Sequence, residues 1–469
     1  MRKVSRGVLA VLLAAGLSGV SGTAHAASTR ADEDVLARLK AIPGMTVQEK
    51  TSTLTGYRWF WLNYRQPVDH RNPSKGWFEQ RILLEHKSDD RPMVLYTSGY
   101  NTPETMFLSE PVGLVDGNQI SVEYRYFTPS IPQPTDWSKD NIWQAATDEH
   151  DLIKALKTIY RGKWISTGAS KGGMTATYHK RFYPGDVDGT VAYVAPNDVN
   201  NKDDSAYDKF FKTVGTDPKC RTDLENLQRE MLKRRPEMEA RMTAAAQEAG
   251  YTWKIIKSVD RAFENSVMDF EWAFWQYHLQ SECPGVPPTT ASTDEIYNFF
   301  DLISGALTYT DQGLEPYIPY YYQAGTQLGW PSPSFKYLRP LLRWESTYQP
   351  RTYVPSDIAM KFDPKAMSDV DHWVRTSATH MAFIYGQNDP WGAEAFRVGP
   401  GARDSKVYVS PGQNHSSHLI ATLPAAQKAE VTADLLRWAG VKATPQQQAK
   451  SLVGPLVTED PVLAQHPRL

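Results

Sequence analysis

The chain has 469 residues, with 51 Lys and Arg against 53 Asp and Glu and a formal net charge of −2. That length buries a sizeable core and suits a catalytic domain carrying a large insertion. The near-neutral balance leaves no electrostatic footprint for nucleic acid or an anionic membrane, so neither is an expected partner.

In chain order, the first segment reads as a secretory signal over residues 1–26. Arg2, Lys3 and Arg6 form a basic start, residues 8–17 an apolar stretch, and Ala24-His25-Ala26 a small-x-small cleavage site. The apolar stretch is too short to span a bilayer, and no later run approaches that length. The mature protein is therefore expected to be soluble, exported and monomeric.

A short helix is predicted over 34–42, then strands over 57–64 and 78–86 separated by the turn formers of 69–76. Buried strands follow at 93–97 and 120–124, an amphipathic helix at 143–160, a strand at 162–167, a helix at 172–179 and a strand at 191–194. Strands alternating with helices predict an α/β fold with a mostly parallel, doubly wound sheet. From 198 to 373 the text turns helical and aromatic, which reads as a helical cap inserted into the sheet domain. Sheet-like text resumes at 381–385 and 406–409, a helix closes at 424–439, and 441–469 reads as a loosely held extension. The catalytic domain is thus expected over 27–197 and 374–440.

Gly168-Ala169-Ser170-Lys171-Gly172 carries the chemistry. G-x-S-x-G alone is a weak motif, but here a short strand precedes it and a glycine-led helix follows. That is how an α/β-hydrolase presents a nucleophile. Ser170 then needs a base to take its proton, and the base needs an acid to fix its tautomer. In this fold the chain order is Ser, acid, His. Asp389 follows the 381–385 strand in Gly386-Gln387-Asn388-Asp389-Pro390 and is the candidate acid, with an Asx turn before proline as the bland alternative. His415 lies on the loop after the next strand and is the candidate base, with His418 as its competitor. For the oxyanion, the backbone N–H of Lys171 and that of Tyr100, beside Gly99, are the expected donors. The Lys171 side chain is expected to face solvent.

The two cysteines, Cys220 and Cys283, are most simply one disulfide in an oxidising compartment, with two buried thiols as the alternative. No H-E-x-x-H, C-x-x-C or EF-hand loop occurs, so no metal and no cofactor are expected.

The chain resembles the secreted prolyl tri/tetrapeptidyl aminopeptidases of actinobacteria, a serine peptidase family related to the prolyl carboxypeptidase group. The resemblance rests on Gln66-Pro67-Val68-Asp69-His70, Phe78-Glu79-Gln80-Arg81, Val122-Glu123-Tyr124-Arg125-Tyr126-Phe127, the stretch from Gly168 to Thr175, the stretch from Tyr322 to Gly329, and Gly412-Gln413-Asn414-His415-Ser416. Carried over by position, the family's triad falls on Ser170, Asp389 and His415. Gln327 departs from the carboxypeptidase relatives, where an acid is usual. The resemblance implies release of tri- or tetrapeptides from a peptide's free N-terminus, with proline before the scissile bond. A cap that restricts the cleft to chain ends and an aromatic wall for a proline ring fit that activity. A carboxylate for the substrate ammonium is also expected, with Glu104 and Glu123 as candidates, each alternatively a solvated or structural acid. An esterase or a proline-preferring endopeptidase would use the same triad.

Overall fold

The computed structural model describes residues 34–442. The signal segment with its cleavage site, and all of the tail beyond 442, lie outside the described residues. Helix α1 (Val35–Lys40) leads into β1 (Met45–Lys50), β2 (Arg58–Pro67), β3 (Trp77–His86) and β4 (Met93–Thr97). Then come α2 (Glu110–Val115), β5 (Asn118–Val122), α3 (Ile142–Leu156), β6 (Trp164–Ala169), α4 (Lys171–Phe182) and β7 (Gly189–Tyr193). A helical segment follows: α5 (Ser205–Thr213), α6 (Pro218–Lys233), α7 (Arg235–Ala249), α8 (Val259–Tyr277), α9 (Thr293–Ser304), α10 (Asp311–Leu314) and α11 (Ile318–Gln323). Helix α12 (Ala366–Ser377), β8 (Thr379–Gly386), β9 (Arg403–Ser410) and α13 (Ala425–Trp438) complete the described chain.

The strands form one 9-stranded sheet in the order β1-β2-β3-β5-β4-β6-β7-β8-β9. β1, β2, β3 and β5 pair antiparallel, and every pairing from β5 to β9 is parallel. β4, β6 and β7 are buried along their whole length, which is why they read as continuous apolar runs without alternation. Successive residues still point to opposite faces. Val94, Ile165, Val191 and Ile384 pack with Val112 of α2 and Val431 and Leu435 of α13. Leu95, Ile120 and Trp164 pack with Leu152, Ile153 and Leu156 of α3 on the other face. The protein has the α/β-hydrolase fold, a doubly wound sheet that delivers its catalytic loops from the carboxyl ends of parallel strands.

The helical segment between β7 and β8 shares one apolar core with the sheet layer, in which Phe263, Trp272 and Phe300 join Tyr96, Met174, Ala192 and Phe383. In α8 every residue from Ala262 to Gln276 is buried, so it is the central helix of this segment, packed by α6, α7 and α9. The stretch 224–248 is divided by Pro236 in the first turn of α7, where proline's missing N–H is tolerated. Helix α12, although within the expected cap range, packs on α4 of the sheet layer, with Arg181 Nε 3.1 Å from Asp369 Oδ2.

Cys220 on α6 and Cys283 beyond α8 form a disulfide, 63 positions apart in sequence. Closing a loop of that length restricts the unfolded chain, so Cys220→Ser is expected to cost about 2–4 kcal/mol. Thermal unfolding with and without reductant measures it. Two titratable thiols in non-reducing denaturant would contradict the pairing.

Candidate active site

The turn from β6 to α4 holds Ser170 at φ 56°, ψ −127°, a strained conformation stabilised by its surroundings. The Ser170 N–H donates to Tyr193 O of β7 at 2.9 Å, and the Ser170 carbonyl accepts from Met174 N at 3.0 Å. The glycines allow the close approach: a Cβ at Gly172 would lie 2.2 Å from Thr97 O, and one at Gly99 2.5 Å from Gly172 N. The loop after β4 therefore rests directly on the serine turn.

Asp389 follows β8 at the start of the turn Pro390–Glu394 and is buried. Its Oδ1 accepts from Trp391 N at 3.0 Å, and its Oδ2 accepts from His415 Nδ1 at 2.8 Å. An imidazole that donates from Nδ1 leaves Nε2 as the basic nitrogen. His415 Nε2 is buried and has no hydrogen-bond partner. The His415 loop is tied down by Glu110, which accepts from Ile420 N and Ala421 N, both at 2.8 Å. His418 is also buried, with Nδ1 engaged by the His415 carbonyl. Burial, then the neighbouring His415, push His418 down to about 3, a poor basicity for proton abstraction at neutral pH.

The Ser170 hydroxyl is hydrogen-bonded to the Tyr100 phenol, so the serine-to-histidine bond is not made in the free enzyme. Such bonds commonly close only once substrate is bound. Burial, reinforced by Tyr320 and Tyr277, raises the Tyr100 phenol well above its ordinary range, so it stays a donor. The expected role of the Tyr100 amide is corrected: that N–H donates to Ser98 Oγ at 3.2 Å, because the loop folds back on Ser98. The phenol is what reaches the serine. The Lys171 N–H sits in the first turn of α4, where a helix supplies no acceptor of its own.

The Lys171 side chain does not face solvent. It is buried beneath the β4 loop, with Nζ donating to Gly99 O at 2.5 Å and lying 3.2 Å from the Tyr124 ring centre. Burial pulls its ammonium down to about 7, against Asp140 and Glu149, which favour the charge. No local pattern signals this, because the box is assembled from Tyr100 after β4 and from Tyr124 and Phe127 after β5.

Glu123 and Glu104, the expected ammonium anchors, are both engaged by Arg81. Glu123 is fully buried; its Oε2 accepts from Arg81 Nε (3.0 Å), Thr102 N (3.0 Å) and Thr102 Oγ1 (3.2 Å), and its Oε1 from Ser130 (3.2 Å). Its acceptor capacity is spent on pinning the loop after β4. Glu104 is exposed and ion-paired to Arg81 at 3.0 Å. Gln327 has a structural task, accepting from Ile142 N of α3 at 2.8 Å. His70 and Arg125 clamp the buried Asp148, with Nε2–Oδ1 at 2.6 Å and Nε–Oδ2 at 2.7 Å.

Ser170 opens into a narrow pocket lined by Tyr100, Lys171, Met174 and Pro196 from the sheet side and by Tyr320, Leu328 and Gly329 from the helical side, with Trp391 and Asp198 completing it. Asp198 was not singled out in the sequence. Its one signal was its place just after the 191–194 strand, at a sheet's carboxyl edge. Among the described residues no cluster of His, Cys, Asp and Glu could hold a metal ion.

The chain is 56% identical to the prolyl tri/tetrapeptidyl aminopeptidase of Streptomyces mobaraensis over 465 residues, covering 98% of this chain and 97% of that protein. Among solved structures it resembles the proline iminopeptidase of Mycobacterium smegmatis at 12% identity and TM-score 0.35, covering 80% of this chain and 98% of that one. An α/β-fold hydrolase from Bacillus anthracis is similar at 13% identity and TM-score 0.36, covering 80% and 99%. The family described as PS-10 peptidase S37 matches residues 28–468. With a serine held on the strand-to-helix turn and an aspartate–histidine pair on the later loops, the chain belongs to the peptidase S37 family and is a serine peptidase.

Proposed function

We propose that the protein is an exported exopeptidase that releases tri- or tetrapeptides from free N-termini, cleaving after proline through a Ser170, His415 and Asp389 triad. The observation that carries this reading is the pocket at Ser170. Tyr100, Met174, Pro196, Tyr320, Leu328 and Trp391 give it an aromatic and apolar wall suited to a rigid proline ring, beside the polar Lys171 and Asp198. The helical segment up to α12, contributing Tyr320, Leu328 and Gly329, acts as the cap that closes this pocket from above. The Streptomyces mobaraensis relative, by its name, has the same activity. Export is supported by the signal-like N-terminus and the disulfide. No described helix is long and apolar enough to cross a membrane.

In the proposed mechanism His415 Nε2 takes the Ser170 proton as Oγ attacks the carbonyl carbon after proline. The Lys171 N–H and the Tyr100 phenol donate to the resulting oxyanion. The imidazolium, steadied by Asp389, returns the proton to the departing amine as the C–N bond breaks. Water, deprotonated by the same histidine, then attacks the acyl-enzyme and frees the short peptide and Ser170.

The experiment is product profiling by mass spectrometry on long peptides with proline at position three or four, with the N-terminus free or acetylated. Tri- and tetrapeptides ending in proline are expected from the free peptides, and roughly ten- to a hundredfold slower release from the blocked ones, the worth of a charge-assisted hydrogen bond. Equal cleavage of both, or cleavage at internal prolines, would make the enzyme an endopeptidase. Turnover of short-chain esters alone would make it an esterase.

A further inference from the structure

We propose that Asp198 is the carboxylate that receives the substrate's α-ammonium. The inference rests on the exopeptidase reading above and adds the residue that enforces it. Asp198 is 5% exposed, lines the pocket that holds Ser170, and keeps its Oδ2 without a hydrogen-bond partner. A buried carboxylate oxygen with no donor is costly, and it persists where a ligand supplies the missing donor. The sign of that ligand follows from the neighbours. Burial first, then the neighbouring Asp204 and Glu394, favour its proton against a backbone donation from Trp330, holding the carboxyl at about 7. Two acids facing a third disfavour a carboxylate or phosphate there and favour a cation. An ammonium brings three donors, enough to satisfy Oδ2 and still bond elsewhere.

The backbone around Asp198 is fixed, as a specificity site requires. Asn197 N donates to Glu394 O at 2.8 Å, Pro196 pairs with Ala395, and Asn197 Nδ2 donates to Asp371 Oδ1 at 2.9 Å. On the cap side a Cβ at Gly329 would lie 2.3 Å from Asp198 O, so cap and sheet meet at this residue. Ser170 and Asp198 line one pocket, so a substrate whose ammonium reaches Asp198 has its first residues fixed relative to the nucleophile. Asp198 thereby measures where the substrate begins.

The test compares kcat/KM for Ala-Ala-Pro-p-nitroanilide and its N-acetyl form, which carry no other cation, in the wild type, Asp198→Asn and Asp198→Ser; p-nitrophenyl acetate reports the catalytic machinery. The ratio of free to blocked substrate cancels the amount of folded enzyme. The wild type is expected to prefer the free amine roughly ten- to a hundredfold. Both variants should bring that ratio to within about threefold of unity while still turning over the ester. A wild-type ratio near one would overturn the exopeptidase reading itself. A wild-type preference that survives unchanged in both variants would overturn the role of Asp198 alone. Loss of ester turnover in both variants would also overturn it, by assigning Asp198 to the fold.

Discussion

Ser170→Ala is expected to lower kcat by roughly 10⁴- to 10⁶-fold while leaving the thermal midpoint nearly unchanged. The size follows from the role: without Oγ no acyl-enzyme forms, and what survives is oxyanion and binding assistance to direct water attack. The fold should tolerate the change because the turn is held by backbone groups, Ser170 N on Tyr193 O and Met174 N on Ser170 O, and by the glycine contacts with Thr97. The side-chain bond lost is that to the Tyr100 phenol. Steady-state kinetics with calorimetry on the same preparation checks both halves. A rate within tenfold of wild type would remove Ser170 from the mechanism.

The second large effect separates two histidines three residues apart. His415→Ala is expected to cost about as much as Ser170→Ala, because the base and the nucleophile act as a unit. His418→Ala is expected to keep kcat within about tenfold. His415 presents an unpartnered Nε2 behind an Nδ1–H fixed by Asp389. His418 instead spends Nδ1 on the His415 carbonyl and is held neutral. Activity against a tripeptidyl amide measures both variants. The reverse ranking would place the base on His418.

The parts of the molecule legible in the sequence are those set by local pattern. Buried parallel strands announce themselves as short apolar runs, and β4, β6, β7 and β8 overlap the runs expected at 93–97, 162–167, 191–194 and 381–385. Strand β1 was not anticipated: Met45–Lys50 is a polar edge strand, with too little apolar content to stand out. Asp389 and His415 were reachable because each follows a strand whose end is marked by glycine and turn formers.

What the sequence hid depends on partners far away in the chain. Glu123 looks like an available acid until β3 brings Arg81 against it across 42 residues. Lys171 looks like a surface lysine until the loop after β4 supplies Gly99 O and the Tyr100 ring, and the segment after β5 the Tyr124 and Phe127 rings. Asp198 becomes distinctive only when Gly329, far along the chain, packs against its backbone and closes the pocket. In each case burial and pairing, which no local pattern encodes, decide what the charge is for.

The central claim is that one serine, Ser170, becomes covalently bonded to the substrate. Labelling the intact protein with a fluorophosphonate and mapping the adduct by peptide mass spectrometry tests it directly. One adduct per chain is expected on the peptide that contains Ser170, with labelling abolished in Ser170→Ala and strongly slowed in His415→Ala. An adduct on another residue, or an active enzyme that takes no label, would contradict the account.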